Sequence, residues 1–261
     1  MKERMMDGKI TLITGASYGM GLDMARVFAR EGSNIIITAR GAGRLQDAVK
    51  IVEKDLCEGR CCIGVPADVT SPEDTKNVFD VIEKEFGDLD VLIHNAGKGE
   101  MEIIDDVVEE HMMETLNINL AGPIRYAQQA LKRFFFKKNE GRIIFISSVN
   151  GKKPCAGTVY SATKAGLNNV AMNLAFRTAQ TNITVNCVAP GATITPAHLA
   201  NLRGEQDGGA DWLTYAGPYF NYAVPDTTGF DQANCCLFLA SIMGQCVTGQ
   251  VIQCCNGSYL G

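Results

Sequence analysis

No stretch of about 18 apolar residues occurs, so no transmembrane helix is expected. There is no excess of positive charge either. The 24 Lys and Arg against 29 Asp and Glu leave a formal charge of −5, which offers nothing to nucleic acid or to an anionic membrane. The ten cysteines include no C-x-x-C pair and no zinc-ligand spacing with histidine, so no metal site is expected. Internal repeats at solenoid periods and low-complexity linkers are also missing. The start, Met1 to Lys9, is polar and has no apolar signal core. The expectation is a cytoplasmic protein whose cysteines stay reduced and are mostly buried as small hydrophobes.

What is present is ordinary globular material, with 46% hydrophobic and 20% charged residues in 261, which argues against disorder. Strand-like and helix-like runs alternate almost to the end. Apolar runs at 10–14, 35–37, 61–65, 89–93, 143–146, 183–188 and 250–253 read as strands. Helical spacing covers 21–30, 45–56, a start at Ser71-Pro72-Glu73-Asp74, a long stretch from about 112 to 138, and 159–180. The strands are continuously apolar, as expected when helices cover both faces of a parallel sheet. These runs predict an α/β fold with a doubly wound parallel sheet of about seven strands.

Residues Thr14-Gly15-Ala16-Ser17-Tyr18-Gly19-Met20-Gly21 lie between the first strand and the first helix. Glycines there let the backbone approach a pyrophosphate, and the helix start offers unpaired N–H groups. The second strand ends Thr38-Ala39-Arg40, with no carboxylate to accept from a ribose 2′-hydroxyl. Arg40 reads as a partner for a 2′-phosphate, against the plainer reading of a solvated loop cation. NADP(H) is therefore favoured, and NAD(H) stays open.

Tyr160 and Lys164 are four apart at the start of a predicted helix, so phenol and ammonium share a face. A cation beside a tyrosine lowers its pKa and fits it for proton exchange with an alcohol or carbonyl oxygen. Ser147-Ser148 ends the fifth strand and Asn95-Ala96-Gly97 follows the fourth, at the rim where such sheets bind ligands. Asn119 lies in the long helix.

With these motifs in this order the chain resembles the short-chain dehydrogenases/reductases of the compact single-domain branch, nearly end to end. The resemblance implies one Rossmann-like catalytic domain over 1–261, with a substrate lid at about 190–228. It implies hydride transfer between a secondary alcohol and a ketone. Tyr160 would be the general acid/base, and Lys164 would bind the nicotinamide ribose and depress the tyrosine pKa. Ser148, rather than Ser147, would orient the substrate oxygen. Asn119 would hold a water in a proton relay to Lys164. The family's cofactor contacts carry over to Gly15, Ser17, Tyr18, Gly19, Met20, Gly21, Arg40, Asp68, Val69, Asn95, Ala96, Gly97, Tyr160 and Lys164. They also carry over to Pro190, Gly191, Thr193 and Thr195, expected around the carboxamide.

Two positions depart from the family pattern. His94 stands where the first of two asparagines is usual, and reads as a core histidine. Tyr18 holds a place that is often basic in NADP(H)-preferring relatives, so Arg40 carries that preference nearly alone. Lys132, Arg133, Lys137 and Lys138 read as cations complementing a helix end rather than as a docking patch.

Trp212, Tyr215, Tyr219, Phe220 and Tyr222 crowd the expected lid. They fit a cover for a bulky apolar alcohol such as a hydroxysteroid or bile acid, and equally a packed lid or subunit contact. A 3-oxoacyl carrier-protein reductase is the rival enzyme; Glu205, Asp207, Asp211 and Asp226 weigh against its basic docking surface. A non-catalytic dinucleotide sensor is the rival of another class, and the presence of both Tyr160 and Lys164 opposes it. The expected partners are a small-molecule alcohol or ketone and further copies of the chain, as tetramer or dimer.

Overall fold

The computed structural model describes residues 4–153, 157–202, 221 and 223–259. Its centre is a sheet of seven parallel strands: β1 (Ile10–Thr14), β2 (Asn34–Ala39), β3 (Cys62–Pro66), β4 (Val91–His94), β5 (Glu140–Ile146), β6 (Asn182–Pro190) and, last in the chain, β9 (Val251–Cys254). They lie in the order β3-β2-β1-β4-β5-β6-β9. The chain runs outward one way from β1 and then returns to start the other way at β4, which leaves a crevice at their carboxyl ends.

Alternate side chains enter two separate cores. Leu12, Ile36, Leu92, Phe145 and Cys187 face one layer. It holds α3 (Pro72–Phe86), the long helical stretch α4 (Glu109–Leu116), α5 (Gly122–Ala130) and α6 (Phe136–Lys138), and α7 (Thr158–Arg177). Ile13, Ile37, Ile93, Ile146 and Val188 face the other, which holds α1 (Gly19–Arg30), α2 (Ala42–Glu53) and a final helix at Gly229–Ala240. Both faces are covered by buried apolar side chains, which explains the unbroken apolar strand runs. Between β6 and the final helix come a short strand β7 (Thr193–Ile194), a helix α8 (Pro196–Leu202) and β8 (Thr227–Thr228), so the final helix is α9.

The expected long helix bends through two π turns, at Asn117–Ala121 and Leu131–Phe135. Of the nine described cysteines only Cys187, Cys236 and Cys255 are buried, and all nine are free thiols. Cys61 precedes edge strand β3 and Cys246 lies in a turn, so both are exposed; the expectation of mostly buried cysteines is corrected to a mixed set. Among the described residues no helix is long and apolar enough to cross a membrane, and no cluster of metal-ligating side chains forms.

Candidate active site

The turn after β1 is shaped by what its glycines avoid. Gly15 and Gly19 have φ of +64° and +58°, a region that a side chain strains. A Cβ on Gly15 would stand 2.7 Å from Ala96 Cα, and one on Gly21 would stand 2.6 Å from Asn95 Nδ2. Asn95 holds this contact in place: its side-chain amide donates to the carbonyls of Thr14 (3.1 Å) and Gly15 (3.0 Å). The first turn of α1 has no acid and its cap, Tyr18, supplies no side-chain bond, so neither an acid nor a cap side chain occupies its N–H groups.

A cavity of about 590 Å³ opens there. Twelve expected cofactor residues line it: Gly15, Ser17, Tyr18, Gly19, Met20, Arg40, Asp68, Val69, Asn95, Ala96, Gly97 and Thr195. Arg44 lines it as well, with its guanidinium 5.2 Å from the centre of the Tyr18 ring. The sequence reading missed Arg44, although a signal existed. It falls in the first turn of α2, which carries no acid, and a cation there opposes the helix dipole unless an anion sits beside it.

Gly21, Pro190, Gly191 and Thr193 stand back from that cavity. Gly21 allows α1 to close on Asn95. Pro190 ends β6, and Gly191 packs on Cys255, where a Cβ would come within 2.6 Å. The Thr193 hydroxyl pairs with that of Thr227 at 2.9 Å, and Gln232 Nε2 donates to Thr227 and to the Cys254 carbonyl. This clasp joins β7, β8, α9 and β9 behind Thr195. The aromatics of the expected lid, from Trp212 to Tyr222, lie outside the described residues.

The residues expected to handle the proton lie near the carboxyl ends of β4 and β5. Lys164 is buried, and its ammonium donates to the Ile146 carbonyl at 2.9 Å. It lies 5.6 Å from the centre of the Tyr160 ring. Burial lowers its pKa to about 8. Ser148 comes two residues after Ile146, and its hydroxyl accepts from Asn150 N–H (3.2 Å) and Nδ2 (3.1 Å). Ser147 is turned away, donating to Asn168 Oδ1 at 2.6 Å. Asn119 sits in the first π turn, and its side chain is taken up by its neighbours. Oδ1 accepts from Lys98 N–H at 2.8 Å, while Nδ2 donates to the Lys98 carbonyl at 2.9 Å and to Thr163 at 3.2 Å. Its amide oxygen and the Lys164 ammonium both lie 3.4 Å from where a Gly97 Cβ would be.

His94 is buried, edge-on to Tyr126 with ring centres 5.2 Å apart. Burial first, and the Lys164 charge with it, lower its pKa to about 3, so the ring is neutral at ordinary pH and acts as core.

The short chain dehydrogenase family model matches residues 9–206. An uncharacterized oxidoreductase of Methylorubrum extorquens is 34% identical over 97% of this chain and 98% of its own length. The 3-oxoacyl-acyl-carrier-protein reductase of Escherichia coli is 33% identical over 97% and 98%. The structure of L-sorbose reductase from Gluconobacter frateurii, complexed with NADPH and L-sorbose, superposes with a TM-score of 0.86 at 28% identity, covering 98% of both chains. On sequence, sheet order and site geometry together, this chain belongs to the short chain dehydrogenase family of oxidoreductases.

Proposed function

We propose that the chain interconverts a ketone and a secondary alcohol with NADP(H), using Tyr160 as general acid/base. The observation that carries this reading is the buried Lys164 ammonium, held on Ile146 and set beside Tyr160 at the sheet's carboxyl edge. Below pH about 8 that ammonium is charged, favours the phenolate and so eases proton transfer to and from Tyr160. When bound, the nicotinamide supplies or accepts the hydride. In reduction, the Tyr160 hydroxyl gives its proton to the oxygen that gains the electron pair, and Ser148 orients that oxygen. Asn119 fixes the π turn and the Gly97-Lys98 wall, close to Lys164, where a water in a proton relay would be held.

The cofactor is NADP(H). Arg40 and Arg44 supply two cations at the cavity, and Ala39 leaves no carboxylate to repel a 2′-phosphate. The glycine turn, the open α1 terminus and the cavity fit the rest of a dinucleotide. The structural relative L-sorbose reductase was complexed with NADPH.

A reductase acting on 3-oxoacyl groups of a carrier protein is the second reading, favoured by the likeness to the Escherichia coli enzyme over nearly the whole chain. A bulky apolar alcohol such as a hydroxysteroid rests on lid composition alone. The single-domain reading, with the lid at about 190–228, belongs to this proposal. So does a homo-oligomer, supported by Phe176, which is 85% exposed, with Met172 of the same helix and Ile124 of α5 also exposed.

A panel of L-sorbose, a 3-oxoacyl thioester and a 3-ketosteroid, each with NADPH and with NADH, tests the function. Turnover of at least one ketone with NADPH preferred is the expected result. NADPH binding with no turnover of any ketone would favour the sensor instead.

A further inference from the structure

Glu100 belongs to none of the motifs that mark the site. It lies just past the cavity wall formed by Gly97, Lys98 and Gly99, and it is buried, only 1% exposed. Its carboxylate Oε2 accepts the main-chain N–H of Tyr160 at 3.0 Å, and its other oxygen accepts the N–H of Glu102. Its own carbonyl accepts Gly157 N–H at 3.2 Å, and the Glu102 carbonyl accepts Thr158 N–H at 2.9 Å. The segment 100–102 therefore grips the start of α7 at three points, Gly157, Thr158 and Tyr160.

Helix α7 lacks the usual local means of ending its first turn. Gly157 is its cap, with no side-chain cap bond, and its first turn has no acid. A Cβ at Gly157 would run into the carbonyl and carboxylate oxygens of Glu100. The local cap position is thus left bare, and a carboxylate from the loop after β4 fills it. Burial, and the neighbouring Glu102 carboxylate, raise the pKa of Glu100 against the pull of the Tyr160 N–H. Glu102 is paired with His111 of α4 at 2.6 Å and also accepts Val108 N–H at 3.0 Å. Lys98, two residues before Glu100, pairs with Glu114 at 2.6 Å. Hydrogen bonds thus hold the loop at both ends, with Asn119 on the backbone of Lys98 and Glu100 on the backbone of Tyr160.

We infer that Glu100 is a positioning residue for the reaction: its carboxylate caps α7 at Tyr160 and fixes where the phenol stands in the cleft. The inference rests on the assignment of Tyr160 as acid/base. An ordinary helix cap would affect stability alone. Here the capped residue is the one that must meet the substrate oxygen, and a small displacement of a reacting group is costly in rate. Lys164, one turn further along, has its own anchor on Ile146 and should keep the cofactor in place without Glu100.

The test uses Glu100→Ala and Glu100→Gln, each alone and combined with Tyr160→Phe, with NADPH and the ketone turned over fastest. Glu100→Ala should lower kcat by roughly 10- to 100-fold, the scale of misplacing a reacting group by about an ångström. KM for NADPH should stay within about twofold of wild type, since its contacts are elsewhere. Glu100→Gln keeps the shape and one acceptor oxygen and should recover much of the rate. In the Tyr160→Phe background, Glu100→Ala should add less than about a twofold loss, because a residue acting through another shows no independent effect. A wild-type kcat for Glu100→Ala, or its full loss persisting without the Tyr160 hydroxyl, would overturn the inference while leaving Tyr160 in its role. A Gln variant that does not fold would overturn it too, by making Glu100 a general stability element. If Tyr160→Phe alone were as active as wild type, the underlying reading of Tyr160 would be what failed, and this inference with it.

Discussion

Arg44 is the residue where the structure adds most to the sequence. Arg40 was legible because it directly follows a strand, and strand ends in such sheets face the ligand. Arg44 follows four residues later, and its place was hidden until α2 was seen to begin at Ala42. Both arginines are exposed and line the cavity, with Arg44 steadied against the Tyr18 ring. A bond to a charged group contributes about 1.5–3 kcal/mol, and solvent screening puts these two at the low end, so each Ala substitution should weaken NADPH by about 10-fold. NADH, with a hydroxyl in place of the phosphate, should change little. Steady-state kcat/KM with both cofactors checks this; equal weakening of NADPH and NADH would remove the arginines from 2′-phosphate recognition. Glu100 illustrates the opposite limit. Nothing near it in sequence marks it, because its partners in α7 begin at Gly157 and only the fold brings them together.

The elements themselves were largely readable. Apolar runs placed six of the seven sheet strands within two residues at each end, since buried parallel strands cannot be polar on either face; the fifth starts at Glu140, three residues before its apolar run. The fourth begins at Val91 rather than Leu89, because Asp88 and Asp90 form the turn that receives Lys138. Helix α9 went unread. Its start carries a full capping box, Thr228 with Asp231, but most of its residues are apolar and it packs against both α1 and the sheet, so little periodicity survives. The π turns were beyond reach, since one is held by Asn119 bonds to the distant Lys98. At the opposite edge from the site, Asp90 ties three elements together. It accepts Ile10 N–H at 2.9 Å, Lys138 at 3.0 Å and Lys9 at 3.3 Å. Burial pushes its pKa up, but the Ile10 N–H and the two lysines outweigh this and leave it lowered. A lowered carboxylate stabilises the fold above its unfolded pKa, about 3.9, and that contribution is lost as pH falls through the lower folded value. Asp90→Asn should therefore lose about 1–2 kcal/mol at pH 7, with the gap to wild type narrowing below about pH 4 and kcat unchanged. Denaturant unfolding at several pH values checks this; a gap that stays constant with pH would assign the effect to packing.

Across the whole molecule, the sheet divides the work at the crevice between β1 and β4. The first half, β1 to β3 with its loops, supplies the glycine turn, the two arginines and Asp68-Val69 to the cavity. The second half, β4 to β6, supplies Asn95-Ala96-Gly97, Ser148 and the anchor for Lys164. Nucleotide binding and proton transfer should thus be separable, and Tyr160→Phe separates them most directly. The variant keeps the ring and its main-chain bond to Glu100 and removes the phenolic hydroxyl, and with it the exchangeable proton. The decisive measurement is its turnover beside its NADPH affinity, followed by cofactor fluorescence. The account predicts turnover lower by at least about 100-fold, the usual worth of a general acid, with NADPH affinity unchanged. Turnover near that of wild type would contradict it.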